Sequence, residues 1–179
     1  SVVDGKTTLV ANHTSKSTKV RGRKKAPKEI DLPENMGTRV DKGQDPSPPK
    51  PLPSAPTWTQ KSLSVISAGG KSLTQASWQD VPDAAAWRIE VRKAEDDELL
   101  DVKTIDARFK EVSFEDFAPG RYTMRIATID TDGFESKMSS PLSLLVSQLL
   151  AAFDDPERER RYARGDLHLG EELVVRDGL

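Results

Sequence analysis

The sequence contains no cysteine, which excludes disulfide bonds, thiolate metal sites and a cysteine nucleophile. Its two histidines, His13 and His168, are far apart and do not stand at a metal-ligand spacing. No apolar run approaches the roughly 20 residues that a membrane-spanning helix requires. The sequence also lacks a phosphate-binding loop, a dinucleotide-binding glycine motif and a Gly-x-Ser-x-Gly hydrolase motif. We therefore expect no cofactor, no metal, no catalytic residues and no transmembrane segment in this chain.

The chain has little apolar material for its length. Of its 179 residues, 35% are hydrophobic and 6% aromatic, whereas 31% are charged. Such a composition supports a small core but not one compact core over the whole length, so long polar stretches must lie outside it. The formal net charge is only −2. No overall field of one sign therefore favours nucleic acid as a partner.

A proline-rich segment divides the sequence. Six of the twelve residues at 45–56 are proline, which fixes φ and lacks the N–H donor that a helix or a central strand requires. The segment is therefore predicted to be an extended, semi-rigid linker. Before it, residues 1–44 alternate short β-prone stretches with turns, among them the hairpin dipeptide Asp4-Gly5. We expect a domain boundary at the linker.

Residues 57–147 carry β-prone stretches at regular spacing, a pattern that predicts a β-sandwich. In the clearest stretch, three apolar residues share one face: Trp87, Ile89 and Val91. Three charged residues alternate with them and are expected to face water: Arg88, Glu90 and Arg92. The next stretch places three residues on one face: Leu100, Val102 and Thr104. Five aromatic residues are expected in the core rather than on a carbohydrate-binding surface: Trp78, Trp87, Phe109, Phe114 and Tyr122.

The stretch at 117–127 reads Phe-Ala-Pro-Gly-Arg-Tyr-Thr-Met-Arg-Ile-Ala. It resembles the Leu-x-Pro-Gly-x-Tyr-x-x-Arg-Val-x-Ala signature of fibronectin type III and related bacterial immunoglobulin-like domains, with Phe117 in place of the usual leucine. Trp78 also stands where this family keeps a core tryptophan. The resemblance covers residues 57–147 and implies an all-β, fibronectin type III-like β-sandwich. It further implies that the Tyr122 hydroxyl bonds back to nearby backbone as a tyrosine corner.

The two flanks resemble incomplete β domains. Residues 29–56, with a Gly-x-x-Val-x-x-Gly turn at 37–43 before the prolines, resemble the end of a FecR-type β-roll domain. We therefore interpret residues 1–44 as the C-terminal part of such a domain. The tail at 148–179 is a charged stretch followed by two short β-prone runs, which resemble the start of a further β segment. We expect the chain to be a fragment of a larger protein.

These resemblances imply a structural or binding role. FecR-type domains belong to the bacterial periplasm or cell envelope, and some stand beside immunoglobulin-like repeats. We therefore expect a non-catalytic scaffold or spacer of a bacterial cell-envelope protein. Its expected partners are other envelope proteins or further copies of the chain. An enzyme is the least favoured class, because nothing in the sequence selects a set of catalytic residues.

A basic cluster favours a different role. It comprises seven residues: Lys16, Lys19, Arg21, Arg23, Lys24, Lys25 and Lys28. The functional interpretation is an anion-binding site for a lipid head group or an anionic envelope polymer, which would make the chain an adaptor. The structural interpretation is a solvated hairpin whose lysines prevent edge-to-edge aggregation, and it is the favoured one.

Two other motifs also have simple structural interpretations. Asp130, Asp132 and Glu135 carry oxygen ligands suited to calcium, but their spacing lacks the pattern of an EF-hand loop. A turn held by aspartate-to-backbone bonds is expected there instead. The tripeptide Arg164-Gly165-Asp166 matches an integrin-binding motif, and a turn is again the simpler interpretation.

Overall fold

A computed structural model describes residues 2–3, 7–67 and 72–148 of the chain. Within these ranges the structure has thirteen β-strands and no helix, which confirms the predicted all-β class. None of the described residues belongs to a helix long and apolar enough to cross a membrane. The predictions for residues 149–179, including that for Arg164-Gly165-Asp166, lie outside the described residues.

The first six strands form what we call the N-terminal unit. They are β1 (Val2–Val3), β2 (Thr7–Asn12), β3 (Thr18–Arg21), β4 (Glu29–Leu32), β5 (Met36–Asp41) and β6 (Lys50–Pro51). An antiparallel sheet has the order β1-β2-β5-β6, and β3 pairs with β4 as a separate hairpin. The hairpin packs on the sheet through three buried residues: Val20, Leu32 and Val40. So small a core gives the unit few apolar contacts of its own.

The other seven strands form the sandwich, which spans residues 57–148. They are β7 (Ser62–Ser67), β8 (Leu73–Ser77), β9 (Ala84–Lys93), β10 (Leu99–Asp106), β11 (Glu111–Glu115), β12 (Gly120–Asp130) and β13 (Leu142–Gln148). One sheet has the order β10-β9-β12-β13-β7, and the other pairs β11 with β8. All neighbouring strands are antiparallel except β13 and β7, which are parallel.

The entry into the sandwich is shared between its two sheets. Trp58 forms an antiparallel bridge with Trp78 at the end of β8, and Thr59 N donates to Ser77 O at 3.0 Å. The chain then crosses to the other sheet, where β7 lies parallel to β13. These two sheets, with the entry segment bonded first to one and then to the other, form a fibronectin type III-like β-sandwich.

The core between the two sheets follows the predicted alternation. Trp87, Ile89 and Val91 are fully buried along β9, as expected. Trp78 stacks edge-to-face on Trp87 and on Trp58, with ring centroids 5.8 and 5.9 Å apart. Such pairs add to the free energy that burial alone provides. The three stacked indoles therefore connect the entry segment at Trp58 to the centre of the core.

Tyr122 forms the tyrosine corner that the family resemblance implied. Its hydroxyl donates to Ala118 O at 2.7 Å, and its ring is 7% exposed. Phe117 packs on it with ring centroids 5.0 Å apart. The polar end of the buried ring is thus satisfied by the turn that leads into β12.

Glu90 departs from the prediction that it faces water, because it is only 6% exposed. Its carboxylate is bonded by Arg88, and Arg92 Nη2 lies 3.0 Å from its Oε2. Both arginines point to the same outer face of β9 and lie over the carboxylate. A charged group can be buried when it is paired in this way. Alternation predicted the face correctly, but not that long neighbouring side chains would cover it.

Phe109 was predicted to lie in the core, and this prediction is wrong. Its ring is 50% exposed in the turn after β10 and lies 4.9 Å from the Arg108 guanidinium. Phe109 supports the core through its backbone, because its carbonyl accepts a hydrogen bond from Trp87 Nε1 at 2.8 Å. Leu100 and Val102 are also exposed, at 40% and 42%. Val102 stands opposite Glu90, on the outer face of the sheet.

The proline-rich segment lies along both parts of the chain. Its residues Lys50–Pro51 form β6 at the edge of the N-terminal sheet, a position that tolerates proline because one side of the strand needs no N–H donor. Leu52 N then donates to Asn35 O at 2.9 Å. Two residues later, Ser54 O accepts a 2.7 Å bond from Thr128 Oγ1 in the sandwich. The segment is therefore bonded to the N-terminal unit through 50–52 and to the sandwich through Ser54.

Candidate interaction surfaces

Phe134 joins the N-terminal unit to the sandwich. It lies in the loop between β12 and β13 and is 3% exposed. Gly37 is buried against its ring: a Cβ on Gly37 would lie 2.7 Å from ring carbons Cδ1 and Cε1 and 2.8 Å from Leu52 Cδ2. Only glycine permits so close an approach. Lys50 Nζ lies 5.2 Å from the ring centroid. We call this contact the seam (Gly37, Lys50, Leu52, Asp130 and Phe134).

Lys50 supplies the charge in the seam. Its ammonium lies 2.9 Å from Asp130 Oδ2 and also binds the carboxylate of Asp132. The hydrogen bond from Lys50 lowers the pKa of Asp132, and the same bond raises the pKa of Lys50. Both groups are therefore held in their charged forms at neutral pH. Lys50 is the only cation in the proline-rich segment. Because both of its ion-pair partners belong to the sandwich, its positive charge faces the sandwich.

Asp130 shapes the loop that presents Phe134. Its Oδ1 accepts bonds from Asp132 N at 3.0 Å and from Phe134 N at 2.8 Å. This is the aspartate-to-backbone turn that the sequence predicted. Gly133 in the same loop has φ +85°, a conformation that favours glycine. In the described ranges, no group of three or more histidine, aspartate or glutamate residues is placed to hold a metal ion.

A further ion pair and a cavity lie where the N-terminal unit meets the sandwich. Lys137 Nζ lies 2.8 Å from Glu34 Oε1. A cavity of about 260 Å³ is lined in part by His13, Arg88 and Glu135, and Arg88 Nη1 donates to Glu135 Oε1 at 2.6 Å. Burial is the main cause that lowers the pKa of His13. His13 is exposed but partly desolvated, so its imidazole reaches its neutral form at a lower pH than a fully solvated histidine does.

The basic cluster lies on the β3–β4 hairpin and the turns beside it, and all seven side chains are exposed. Two members form ion pairs: Lys19 with Glu29 at 3.0 Å and Lys24 with Asp45 at 2.6 Å. Among the described residues, five members have no ion-pair partner: Lys16, Arg21, Arg23, Lys25 and Lys28. The structure thus brings the predicted residues onto one hairpin but neutralises part of their charge.

The loop at 22–28 is held in place by hydrogen bonds within the loop and to Asp45. Gly22 N donates to Lys28 O at 2.9 Å, and Lys28 N donates to Asp45 Oδ1 at 2.9 Å. The pKa of Asp45 is lowered, chiefly by its hydrogen bond with the Lys24 ammonium. An ionised carboxylate therefore stands among the cations of the loop. It fixes the loop and weakens the field that an anion would meet.

The seam was not predicted from the sequence. Two signals pointed to it: Phe134 is an aromatic residue in a loop of aspartate and glycine, and Lys50 is a single cation among prolines. Each differs in chemical character from the residues around it. Their partners lie far along the chain, since Lys50 and Asp132 are 82 residues apart, and no local pattern identifies such a pair.

No protein-family model matches the chain, and no curated protein matches it. Some solved structures are similar to parts of it. A Fn3-like protein from Clostridium thermocellum is 17% identical over 55% of this chain and 98% of that chain, with a TM-score of 0.41. The CbhA fibronectin(III)-like modules of the same organism are 14% identical over 80% and 87%, with a TM-score of 0.42. The extracellular domain of a one-component system from B. thetaiotaomicron is 12% identical over 71% and 19%, with a TM-score of 0.32. The fold assignment rests on the strand order and the tyrosine corner.

Proposed function

We propose that the chain is a non-catalytic structural and protein-interaction module that acts as a scaffold or spacer in a bacterial cell-envelope protein. The seam is the observation that carries this proposal. Phe134 is 3% exposed and lies against Gly37 with no room for a Cβ, while Lys50 binds two aspartates across the contact. A spacer built in this way fixes the direction between its two ends as well as their separation.

The envelope location rests on the resemblance of residues 1–44 to the end of a FecR-type β-roll domain. The two glycines of the 37–43 motif, one in β5 and one in the turn after it, have separate structural roles. Gly37 permits the seam, and Gly43 takes φ +75° in the turn after β5. Val40, between them, is 2% exposed in the core of the N-terminal unit. The motif therefore serves both to close the N-terminal unit and to attach it to the sandwich.

A pull-down from bacterial envelope extract tests the proposal. The purified chain serves as bait, and an unrelated fibronectin type III domain of similar net charge serves as the control bait. Bound material is washed at low and then high salt and analysed for protein, lipid and polysaccharide. A protein held by an interface with an apolar core should stay bound at high salt. Retention of no protein beyond that on the control bait would contradict the module proposal.

The alternative function is an adaptor that binds an anionic polymer or lipid through the basic cluster. One observation favours it: five cations of the cluster lack an ion-pair partner among the described residues, on a hairpin whose loop is fixed by Asp45. Cations that no carboxylate neutralises remain available to phosphate groups. Binding of this kind weakens steeply as salt rises, because it depends on the release of counterions.

Flotation with anionic liposomes at several salt concentrations distinguishes the adaptor from the module. The test variant replaces four unpaired cations of the cluster with glutamine: Lys16, Arg21, Lys25 and Lys28. The matched control replaces four exposed cations elsewhere: Lys42, Lys61, Arg108 and Arg121. The adaptor requires that binding is lost in the test variant and kept in the control. Equal loss in both variants would show attraction to overall charge alone and would contradict a site at the cluster.

A further inference from the structure

Among the described strands, β10 is an edge strand that is bonded only to β9. Three of its apolar residues are exposed, with Leu99 at 45%, Leu100 at 40% and Val102 at 42%. A free edge of this kind offers a row of unpaired N–H and C=O groups to another strand. The apolar side chains beside those groups would be covered by the same contact.

The register of β10 on β9 determines which backbone groups are free. Ala107 N donates to Ala85 O at 3.1 Å, so this pair is a hydrogen-bonded pair of the antiparallel ladder. Hydrogen-bonded pairs alternate with non-bonded pairs along such a ladder. Val102 and Thr104, opposite Glu90 and Arg88, fall at the non-bonded positions. Their N–H and C=O groups therefore point away from β9, toward the free edge.

We infer that a second copy of this chain pairs with β10 in antiparallel register about a twofold axis at Val102. The inference rests on the proposed function and names a partner for it. In this register, Asp101 of each copy stands directly opposite Lys103 of the other, and Leu100 stands opposite Thr104. The dimer has two cross-strand ion pairs on one face and a row of apolar side chains on the other. Its interface is self-complementary, as twofold symmetry requires.

The charges on β10 select this register over its neighbours. The smallest shift that keeps free N–H groups opposite free C=O groups places a charged residue opposite its own copy, Lys103 in one direction and Asp101 in the other. Like charges directly opposite each other destabilise a strand pair. The edge strand β11 shows the contrast, since pairing two copies about Ser113 would place Glu111 opposite Glu115.

The side chains of β10 are already placed for this contact. Lys103 Nζ donates to Ser113 O at 3.0 Å and lies 4.2 Å from the Phe114 ring centroid, and its ammonium carries further donors. The Asp101 carboxylate has no hydrogen-bond or ion-pair partner within the part of the chain that the structure describes. One strand pair buries less than the roughly 1,200 Å² of a standard interface, so the dimer is weak and forms at high concentration.

Sedimentation equilibrium of the full chain tests the inference, over a concentration series that reaches about 1 mM. The wild type should associate, and D101K and K103D should each raise the dissociation constant about tenfold or more, because each places like charges opposite each other. An equimolar mixture of D101K and K103D should associate again, since every opposed pair is then complementary. Wild-type behaviour of both variants, or a mixture that stays monomeric, would overturn the register.

Two controls separate pairing from folding. K61D makes the same charge change as K103D outside β10 and should associate like the wild type. Val102→Pro removes an N–H that points to the free edge and leaves the β9 ladder intact, so it should fold normally and remain monomeric. Thermal melts followed by circular dichroism check that each variant is folded. Association of folded Val102→Pro at the wild-type level would overturn the use of this edge.

Self-association and the scaffold role fail in different experiments. A wild type that stays monomeric but retains an envelope protein in the pull-down would overturn the β10 dimer and leave the module proposal standing. A charge-dependent dimer that retains no envelope protein would support the pairing and contradict the wider role.

Discussion

Substitution of Gly37 by alanine tests the seam with a single methyl group. The added Cβ would lie 2.7 Å from two ring carbons of Phe134 and 2.8 Å from Leu52 Cδ2. Real Cβ contacts are essentially never this short, so the ring, the leucine or the strand must move. The ring is 3% exposed and enclosed by both parts of the chain, which leaves it little freedom. Overpacking of a filled site typically costs about 1–3 kcal/mol, and we expect Gly37→Ala to fall in this range.

A double-mutant cycle with Phe134→Ala makes the prediction specific. Loss of the buried ring should itself cost about 3–5 kcal/mol, as for other large-to-small changes. In that background the space left by the ring lets the end of the Leu52 side chain move away from the added methyl group. The further cost of Gly37→Ala should therefore be close to zero. The two effects are therefore strongly non-additive, as expected for residues in direct contact.

Urea unfolding followed by tryptophan fluorescence measures all four proteins of the cycle. Gly120→Ala is the matched control, because the nearest atom to its added Cβ, Tyr122 Oη, is 3.4 Å away. It should stay within about 0.5 kcal/mol of the wild type. Wild-type stability of Gly37→Ala, or an equal cost with and without the Phe134 ring, would refute the contact.

Three other changes have defined outcomes. Trp78→Ala should lower the free energy of unfolding by about 3–5 kcal/mol in a thermal melt, because the indole is 3% exposed in the core. Tyr122→Phe removes the bond to Ala118 O and should cost about 0.5–1.5 kcal/mol by urea unfolding. The lowered pKa of Asp132, caused chiefly by its bond with Lys50, stabilises the fold above the unfolded pKa of about 4. That contribution disappears as pH falls through the lower folded pKa, so Lys50→Gln should flatten the acid limb of a stability–pH curve.

Each of these outcomes has a clear opposite. A wild-type melt for Trp78→Ala would contradict its place in the core. A neutral Tyr122→Phe would mean that water satisfies the hydroxyl equally well in the unfolded chain. Parallel pH curves for the wild type and Lys50→Gln would show that the ion pair contributes no measurable stability, as is common for exposed pairs.

The sandwich was predictable from the sequence because its signals are local. The alternation of Trp87, Ile89 and Val91 fixes a buried face from three residues, and all three are fully buried. The signature around Tyr122 joins a turn to a strand within eleven residues, and its hydroxyl bond is present. Asp130 could be interpreted as a turn residue for the same reason, since its bonds reach only two and four residues ahead.

The parts that sequence reasoning missed depend on contacts between distant residues. Alternation gives the face of Glu90 but cannot show that two arginines cover it. It groups Val102 with its neighbours but cannot show that β10 ends a sheet. The seam is the extreme case, because Gly37 and Phe134 meet from two separate β units. The basic cluster was identified as a set, but its partial neutralisation by Asp45 depends on where the chain returns.

The parallel pair of β7 and β13 has a mechanical consequence. They are the first and last strands of the sandwich, with Ser62 opposite Ser143 and Ser67 opposite Gln148. A pull on the two ends of the sandwich therefore draws the strands past each other along their length. Their hydrogen bonds share the load at once, instead of opening one after another as in a peeled hairpin. A spacer with this arrangement is suited to transmit tension. Force spectroscopy should show a higher unfolding force when the sandwich is pulled through its two ends, along β7 and β13. A pull at right angles to these strands, which separates them one hydrogen bond at a time, should need less force.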